Sequence, residues 1–145
     1  MATVNSWLLD TGPIVAYLDA ADPYHDDVAV LLEPFRGRLV TSGAVITEAM
    51  FLLSDAPRGA KLLAEFAGSS DLQVYDLAQP KELWDAAELM ERYADTPMDY
   101  ADATLVLLAD ALRLDTVLTL DRRGFSTYRT GSRRSLKLAL TLNRK

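Results

Sequence analysis

Trp7-Leu8-Leu9-Asp10-Thr11-Gly12-Pro13 decides the fold class. Three large apolar residues in a row read as a short buried strand. The strand stops on a carboxylate, Thr11-Gly12 turns the chain, and Pro13 falls in the first turn of a helix expected over 14–19. The same alternation repeats downstream. Strands are predicted over 38–41, 72–75 and 116–120. Helices are predicted from Asp22-Pro23 to about Glu33, over 44–53, from Pro57 to about Gly68, from Pro80 to about Tyr93, and over 99–112. Their inward stripes fall on Val28, Leu31 and Leu32, on Val45, Ala49 and Leu52/Leu53, and on Leu83, Ala87 and Met90. The 99–112 segment is the most apolar and is expected at the centre. Strands separated by helices pair in parallel, with helices on both faces of the sheet. The prediction is therefore an α/β fold, a three-layer α/β/α sandwich around a short central parallel sheet. Leu136-Lys137-Leu138-Ala139-Leu140 alternates weakly, as an edge strand would, and the last few residues are expected to fray.

The chain has 145 residues, half of them apolar, which suits one domain with a real core over 1–145. It has no cysteine and one histidine, His25, which excludes thiolate metal sites, a cysteine nucleophile and a His-rich metal site. His25 itself reads as solvated. The longest apolar runs are far shorter than the roughly 20 residues a spanning helix needs, so no membrane partner is expected. Without a basic leader, a cytoplasmic location is the expectation. The net charge of −6 hides a division. Residues 1–121 carry 7 basic and all 21 acidic side chains, or −14, whereas residues 122–145 carry 8 basic and no acidic ones, or +8.

Four carboxylates stand out by position. Asp10 and Asp121 end predicted strands, where ligands sit in open parallel sheets. Glu48 and Asp102 interrupt helices that are otherwise mostly apolar, and Asp99 lies one turn before Asp102 on the same face. A carboxylate in apolar surroundings needs a partner or a cation. Two such charges about 4 Å apart repel by roughly 4 kcal/mol at an effective dielectric of 20. Mg²⁺ or Mn²⁺, which take hard oxygen ligands and keep several waters, would relieve that repulsion. Carboxylates gathered around such ions are standard equipment for phosphodiester displacement, which requires neither His nor Cys. Singly, each acid has a simpler reading: Asp10 as the cap of the 14–19 helix, Asp121 as a turn residue before Gly124.

These residues carry a resemblance. LLDTG around Asp10, ITEAM around Glu48, MDYADATLVLLADAL around Asp99 and Asp102, and TLDRRGF around Asp121 occur in the order seen in PIN-domain ribonucleases, with intervals of 38, 54 and 19 residues between Asp10, Glu48, Asp102 and Asp121. In particular the chain resembles the toxin components of VapBC-type toxin–antitoxin pairs, from about Trp7 to about Tyr128. The resemblance implies a PIN-like α/β/α sandwich, Mg²⁺- or Mn²⁺-dependent endoribonuclease activity on RNA, a homodimer, and inhibition by a small antitoxin protein. It places Asp10, Glu48, Asp102 and Asp121 in the catalytic, metal-binding acidic set. Thr11 and Thr119 match supporting hydroxyl positions. Asp99 either reaches the metal through water or bonds to the Thr11 or Thr119 hydroxyl.

Arg122 and Arg123 directly follow Asp121 and are candidates for contact with RNA phosphates. Arg133, Arg134 and Lys137 extend the same basic stretch. Trp7, Trp84, Phe51 and Phe66 read as core or interface residues, and the apolar faces near 28–35 and 47–53 as packing, dimer or antitoxin surfaces. Rival readings are a phosphatase or DNA nuclease on a similar scaffold, a solitary RNA-processing nuclease, and a non-catalytic RNA-binding module. An aspartyl-nucleophile phosphatase is disfavoured because the position two residues after Asp10 is Gly12.

Overall fold

The computed structural model describes residues 5–141, so the expected fraying of the last residues lies outside them. Leu8 and Leu9 end the first strand, β1 (Ser6–Leu9), fully buried. A strand covered on both faces must lie inside the sheet, and β1 does. The sheet has five strands in the order β3-β2-β1-β4-β5, every pairing parallel, built from β1, β2 (Arg38–Ser42), β3 (Gln73–Tyr75), β4 (Thr116–Leu118) and β5 (Lys137–Leu138). Register pairs Leu8 with both Val40 and Val117. From β1 the chain builds outward to β2 and β3 on one side, then returns to place β4 and β5 on the other. The order thus reverses between β1 and β4, which opens a crevice at their carboxyl ends.

Helices cover the sheet as a three-layer α/β/α sandwich. Helix α1 (Thr11–Leu18) packs on α2 (His25–Leu32), α3 (Gly43–Leu52) and α4 (Gly59–Ser69), and α5 (Pro80–Arg92) packs on α6 (Tyr100–Ala111). Helix α6 is the central one expected, with Ala101, Ala103, Thr104, Leu105, Val106, Leu108 and Ala109 all buried. Among the described residues no helix is long and apolar enough to cross a membrane.

Several boundaries differ from expectation. Asp22 does not cap α2; its carboxylate accepts from the amide of Tyr24 in a turn, and the helix begins at His25. Likewise Pro57 precedes a turn in which Arg58 is left-handed (φ 57°), so α4 begins at Gly59. The inward face of α5 is Ala86 and Leu89, with Leu83 and Ala87 exposed, one residue out of phase with the predicted stripe. In α3, Val45 and Ala49 point inward with Leu53 beyond its end, while Leu52 is half exposed. Strand β4 stops at Leu118, not 120, and a helix that the sequence reading missed, α7 (Arg122–Thr127), follows at once. The weak alternation over 136–140 does form the edge strand β5.

Of the aromatic residues, Trp7 stacks on Phe35 at 3.9 Å and Phe66 meets Tyr17, whereas Phe51 (75%) and Trp84 (68%) stand exposed and are not core residues. His25 is not free in solvent. Its Nδ1 lies 2.8 Å from the carbonyl oxygen of Ala16, which ties α2 to α1.

Candidate functional site

The acids meet at the crevice. Asp10 follows β1 and caps α1: its Oδ1 accepts from the Thr11 amide at 2.8 Å. Its Oδ2 accepts from the Thr119 hydroxyl at 2.7 Å, across from the end of β4. The simple capping role and the site position therefore coexist in one residue. Thr119 Oγ1 in turn accepts from the Asp121 amide at 3.0 Å, so a single buried hydroxyl joins the two strand-end acids. Asp121 lies on the connection beyond β4 and caps α7, its Oδ1 accepting from the Gly124 amide at 3.0 Å. Gly124 is required there, because a Cβ would collide with the Asp121 carboxylate and approach the Tyr128 hydroxyl to 2.9 Å.

Asp99 and Asp102 form a reciprocal cap at the start of α6. Asp99 Oδ1 accepts from the Asp102 amide (2.7 Å), and Asp102 Oδ2 accepts from the Asp99 amide (3.1 Å). Asp99 bonds to neither Thr11 nor Thr119: the Thr119 hydroxyl donates to Asp10, and Thr11 Oγ1 is buried with no hydrogen-bond partner among the described residues. Glu48, on α3, borders a cleft of about 390 Å³ lined also by Ala44, Thr47, Asp99, Tyr100 and Ala101.

Asp10 and Asp102 both feel neighbouring carboxylates. Burial pushes the Asp10 carboxyl up to about 6; the Thr119 and Thr11 bonds oppose this, and the charges of Asp99 and Glu48 add to it. Asp102 is raised well above the ordinary carboxylate range, first by burial, then by Asp99 and Asp10. The Tyr128 phenol is raised by burial and then by Asp102, Asp121, Asp99 and Asp10. Charges so destabilised mark a site built for something other than stability.

A hard divalent cation fits this donor chemistry. The groups are carboxylates plus one orphaned buried hydroxyl, Thr11 Oγ1, and Glu48 and Asp99 line an open cleft with room for water. Among the described residues no three His, Cys, Asp or Glu side chains stand together as a ready-made metal cage, so an ion here would need water or side-chain movement to complete its ligand shell.

Further residues that the sequence did not reveal brace the site from below. The Thr41 hydroxyl donates to the Leu9 carbonyl at 2.7 Å, fixing the end of β1 beside Asp10. Ser42 Oγ and Thr104 Oγ1 lie 2.7 Å apart, joining the start of α3 to α6. The Tyr128 hydroxyl donates to the Pro97 carbonyl at 2.8 Å. Such bonds span distant parts of the chain and leave no local pattern.

Arg122 and Arg123 occupy the first turn of α7, exposed at the edge of the crevice. Of the rest of the basic stretch, Arg133 and Lys137 are exposed as expected and Arg134 is not. Arg134 turns inward, its guanidinium donating to the carbonyls of Ala109 (3.0 Å) and Leu114 (3.4 Å) at the end of α6. Arg129 donates to the carbonyls of Ser126, Thr127 and Tyr128 at the end of α7. Lys137 lies 3.8 Å from Asp115. These groups complement helix ends and a neighbouring carboxylate.

Known proteins resemble this chain in sequence and in fold. Ribonuclease VapC26 of Mycobacterium tuberculosis (strain ATCC 25618 / H37Rv) is 36% identical over 129 residues, 84% of this chain and 91% of that protein. The crystal structure of Mycobacterium tuberculosis VapC20, a Sarcin-Ricin loop cleaving toxin, superposes with a TM-score of 0.71 at 21% identity, covering 79% of this chain and 89% of that one. VapBC2 from Rickettsia felis, solved bound to a DNA fragment from its promoter, gives a TM-score of 0.59 at 19% identity over 92% of this chain and 96% of that one. The last two are likenesses of fold. The PIN domain model matches residues 7–130, the span that holds β1 through α7 and every candidate acid, and the chain belongs to the PIN-domain family.

Proposed function

We propose that the chain is a single-domain endoribonuclease, the toxin of a VapBC-type pair, which cleaves RNA with Mg²⁺ or Mn²⁺ held by Asp10, Glu48, Asp102 and Asp121. Asp99 would contribute through water. The observation that carries this reading is Asp10: a buried carboxylate, raised to about 6 and surrounded by other acids, at the carboxyl end of the central strand. The 36% identity to a ribonuclease supports RNA as the substrate. A divalent ion bound there supplies water activation and charge stabilisation at the leaving oxygen.

The chain's own groups do the positioning. The Thr119 hydroxyl and Thr11 amide fix both Asp10 oxygens, so the carboxylate cannot rotate away from the crevice. The Asp99–Asp102 cap holds the acids of α6 at its first turn. Arg122 and Arg123 stand where the phosphates flanking the scissile bond would be drawn in, offsetting the acidic body. Single-stranded or looped RNA suits the site best, since its backbone can bend into the crevice. A small antitoxin and a second copy of the chain are the expected protein partners; the exposed Phe51 and Leu52 on α3 offer apolar surface for such contacts.

The test is incubation of the purified protein with structured RNA and, in parallel, DNA, in Mn²⁺, Mg²⁺ or EDTA. RNA cleavage is expected only with a divalent ion, falling on the order of a thousandfold in Asp10→Asn. Equal cleavage in EDTA, or full activity in Asp10→Asn, overturns the mechanism.

A further inference from the structure

Asp121 differs from the other acids in how it is held. Asp10 is anchored by the sheet itself, and Asp99 and Asp102 by the first turn of a buried helix. Strand β4 ends three residues before Asp121, so the sheet ladder does not reach it. Apart from the bond of its amide to the Thr119 hydroxyl, it is held by a six-residue helix, α7, so the attachment of that helix helps to set where its carboxylate stands.

Phe125 within α7 and Tyr128 just after it anchor that helix, both among the largest fully buried side chains of the molecule. The Tyr128 ring meets Phe125 edge-on at 5.2 Å and Tyr93 at 5.1 Å. Its hydroxyl donates to the carbonyl of Pro97, two residues before Asp99, at 2.8 Å. The same hydroxyl and the Asp121 carboxylate crowd the vacant Cβ position of Gly124. One phenol thus touches the turn that presents Asp99 and Asp102 on one side and the helix that carries Asp121 on the other.

We propose that Tyr128 is a positioning residue for the candidate nuclease site: its buried hydroxyl latches α7 to the 97–99 turn and sets the separation of Asp121 from Asp99 and Asp102. The hydroxyl reaches no solvent, so the latch positions the acids and takes no part in proton transfer. A phenylalanine would keep the ring packing and lose only the latch. The inference rests on the reading of the acids as a divalent-cation site.

The experiment measures melting temperature across a Mn²⁺ titration, and RNA cleavage, for wild type, Tyr128→Phe and Tyr93→Phe. Tyr93 is a matched control: it sits in the same aromatic cluster, and its hydroxyl accepts the Arg129 amide rather than joining the acidic segments. Tyr128→Phe is expected to raise the Mn²⁺ concentration for half the thermal shift by roughly three- to tenfold, the range of one lost buried hydrogen bond, and to slow cleavage in parallel. Tyr93→Phe is expected to lower the melting temperature in metal-free buffer and leave the Mn²⁺ midpoint unchanged. Gly124→Ala, which drives a methyl against the Asp121 carboxylate itself, is the positive control for displacement of that acid and should shift the midpoint in the same direction. A wild type that responds to Mn²⁺ with a midpoint unmoved in Tyr128→Phe overturns the positioning role alone. A wild type with no Mn²⁺ response overturns the metal site and this inference with it.

Discussion

The crevice at the ends of β1 and β4 and the basic segment that begins at Arg122 treat charge in opposite ways. In the crevice, Asp10 is raised by burial and then by Asp99 and Glu48, Asp102 by burial and then by Asp99 and Asp10, and Thr11 Oγ1 has no partner among the described residues. In the basic segment, Arg129 and Arg134 are matched to carbonyls at the ends of α7 and α6, and Lys137 approaches Asp115. The +8 of residues 122–145 therefore overstates the charge available to RNA. Charge that completes helix ends serves the fold; charge left in conflict marks where a ligand acts. Arg122 and Arg123, at the junction, are exposed on the first turn of α7 and are the residues proposed to meet RNA.

This contrast can be broken first through pH. In the folded chain the Asp10 proton is held up to about 6, whereas an unfolded aspartate releases it near 4. The folded state therefore binds more protons between those values, and stability of the metal-free protein falls as pH rises through them. The penalty is absent below pH 4 and complete above about 6, roughly 3 kcal/mol for Asp10. The raised Asp102 extends the decline to higher pH. Denaturant midpoints from pH 4 to 8 should show this slope, and Asp10→Asn should flatten it. A metal-free protein that grows more stable over that interval would show the acids to be satisfied after all.

The basic side should answer differently. Arg134→Met removes the guanidinium from the Ala109 and Leu114 carbonyls and should cost about 1–3 kcal/mol of stability, read by denaturation, with RNA cleavage per folded molecule unchanged. A loss of cleavage without a loss of stability would return Arg134 to the RNA surface. Arg123→Ala, on an exposed helix turn, should do the reverse: a few-fold weaker cleavage at low salt, an effect that shrinks as salt rises, with the melting temperature within about a degree of wild type.

The fold class was legible in the alternation of short apolar runs with helical periodicity, and α6 announced itself as central by its continuous apolar content. Helix α7 was not legible, because six residues with two arginines and a glycine show no period. The face of α5 was misread by one residue because Leu83 and Trp84 are large and apolar yet exposed, while the smaller Ala86 makes the contact. At the site, the acids could be picked out by their apolar sequence surroundings. Thr41, Ser42, Thr104 and Tyr128 could not, since each acts through a hydrogen bond to a residue between 31 and 62 positions away.

Whether the crevice acids form a cation site is tested most directly by Mn²⁺ titration of the melting temperature at pH 8. Binding to the folded state alone should raise the wild-type transition by roughly 5–10 °C at a hundredfold excess over the dissociation constant, with a clearly smaller rise in Asp102→Asn. A wild-type transition that stays fixed across the titration would contradict the cation site.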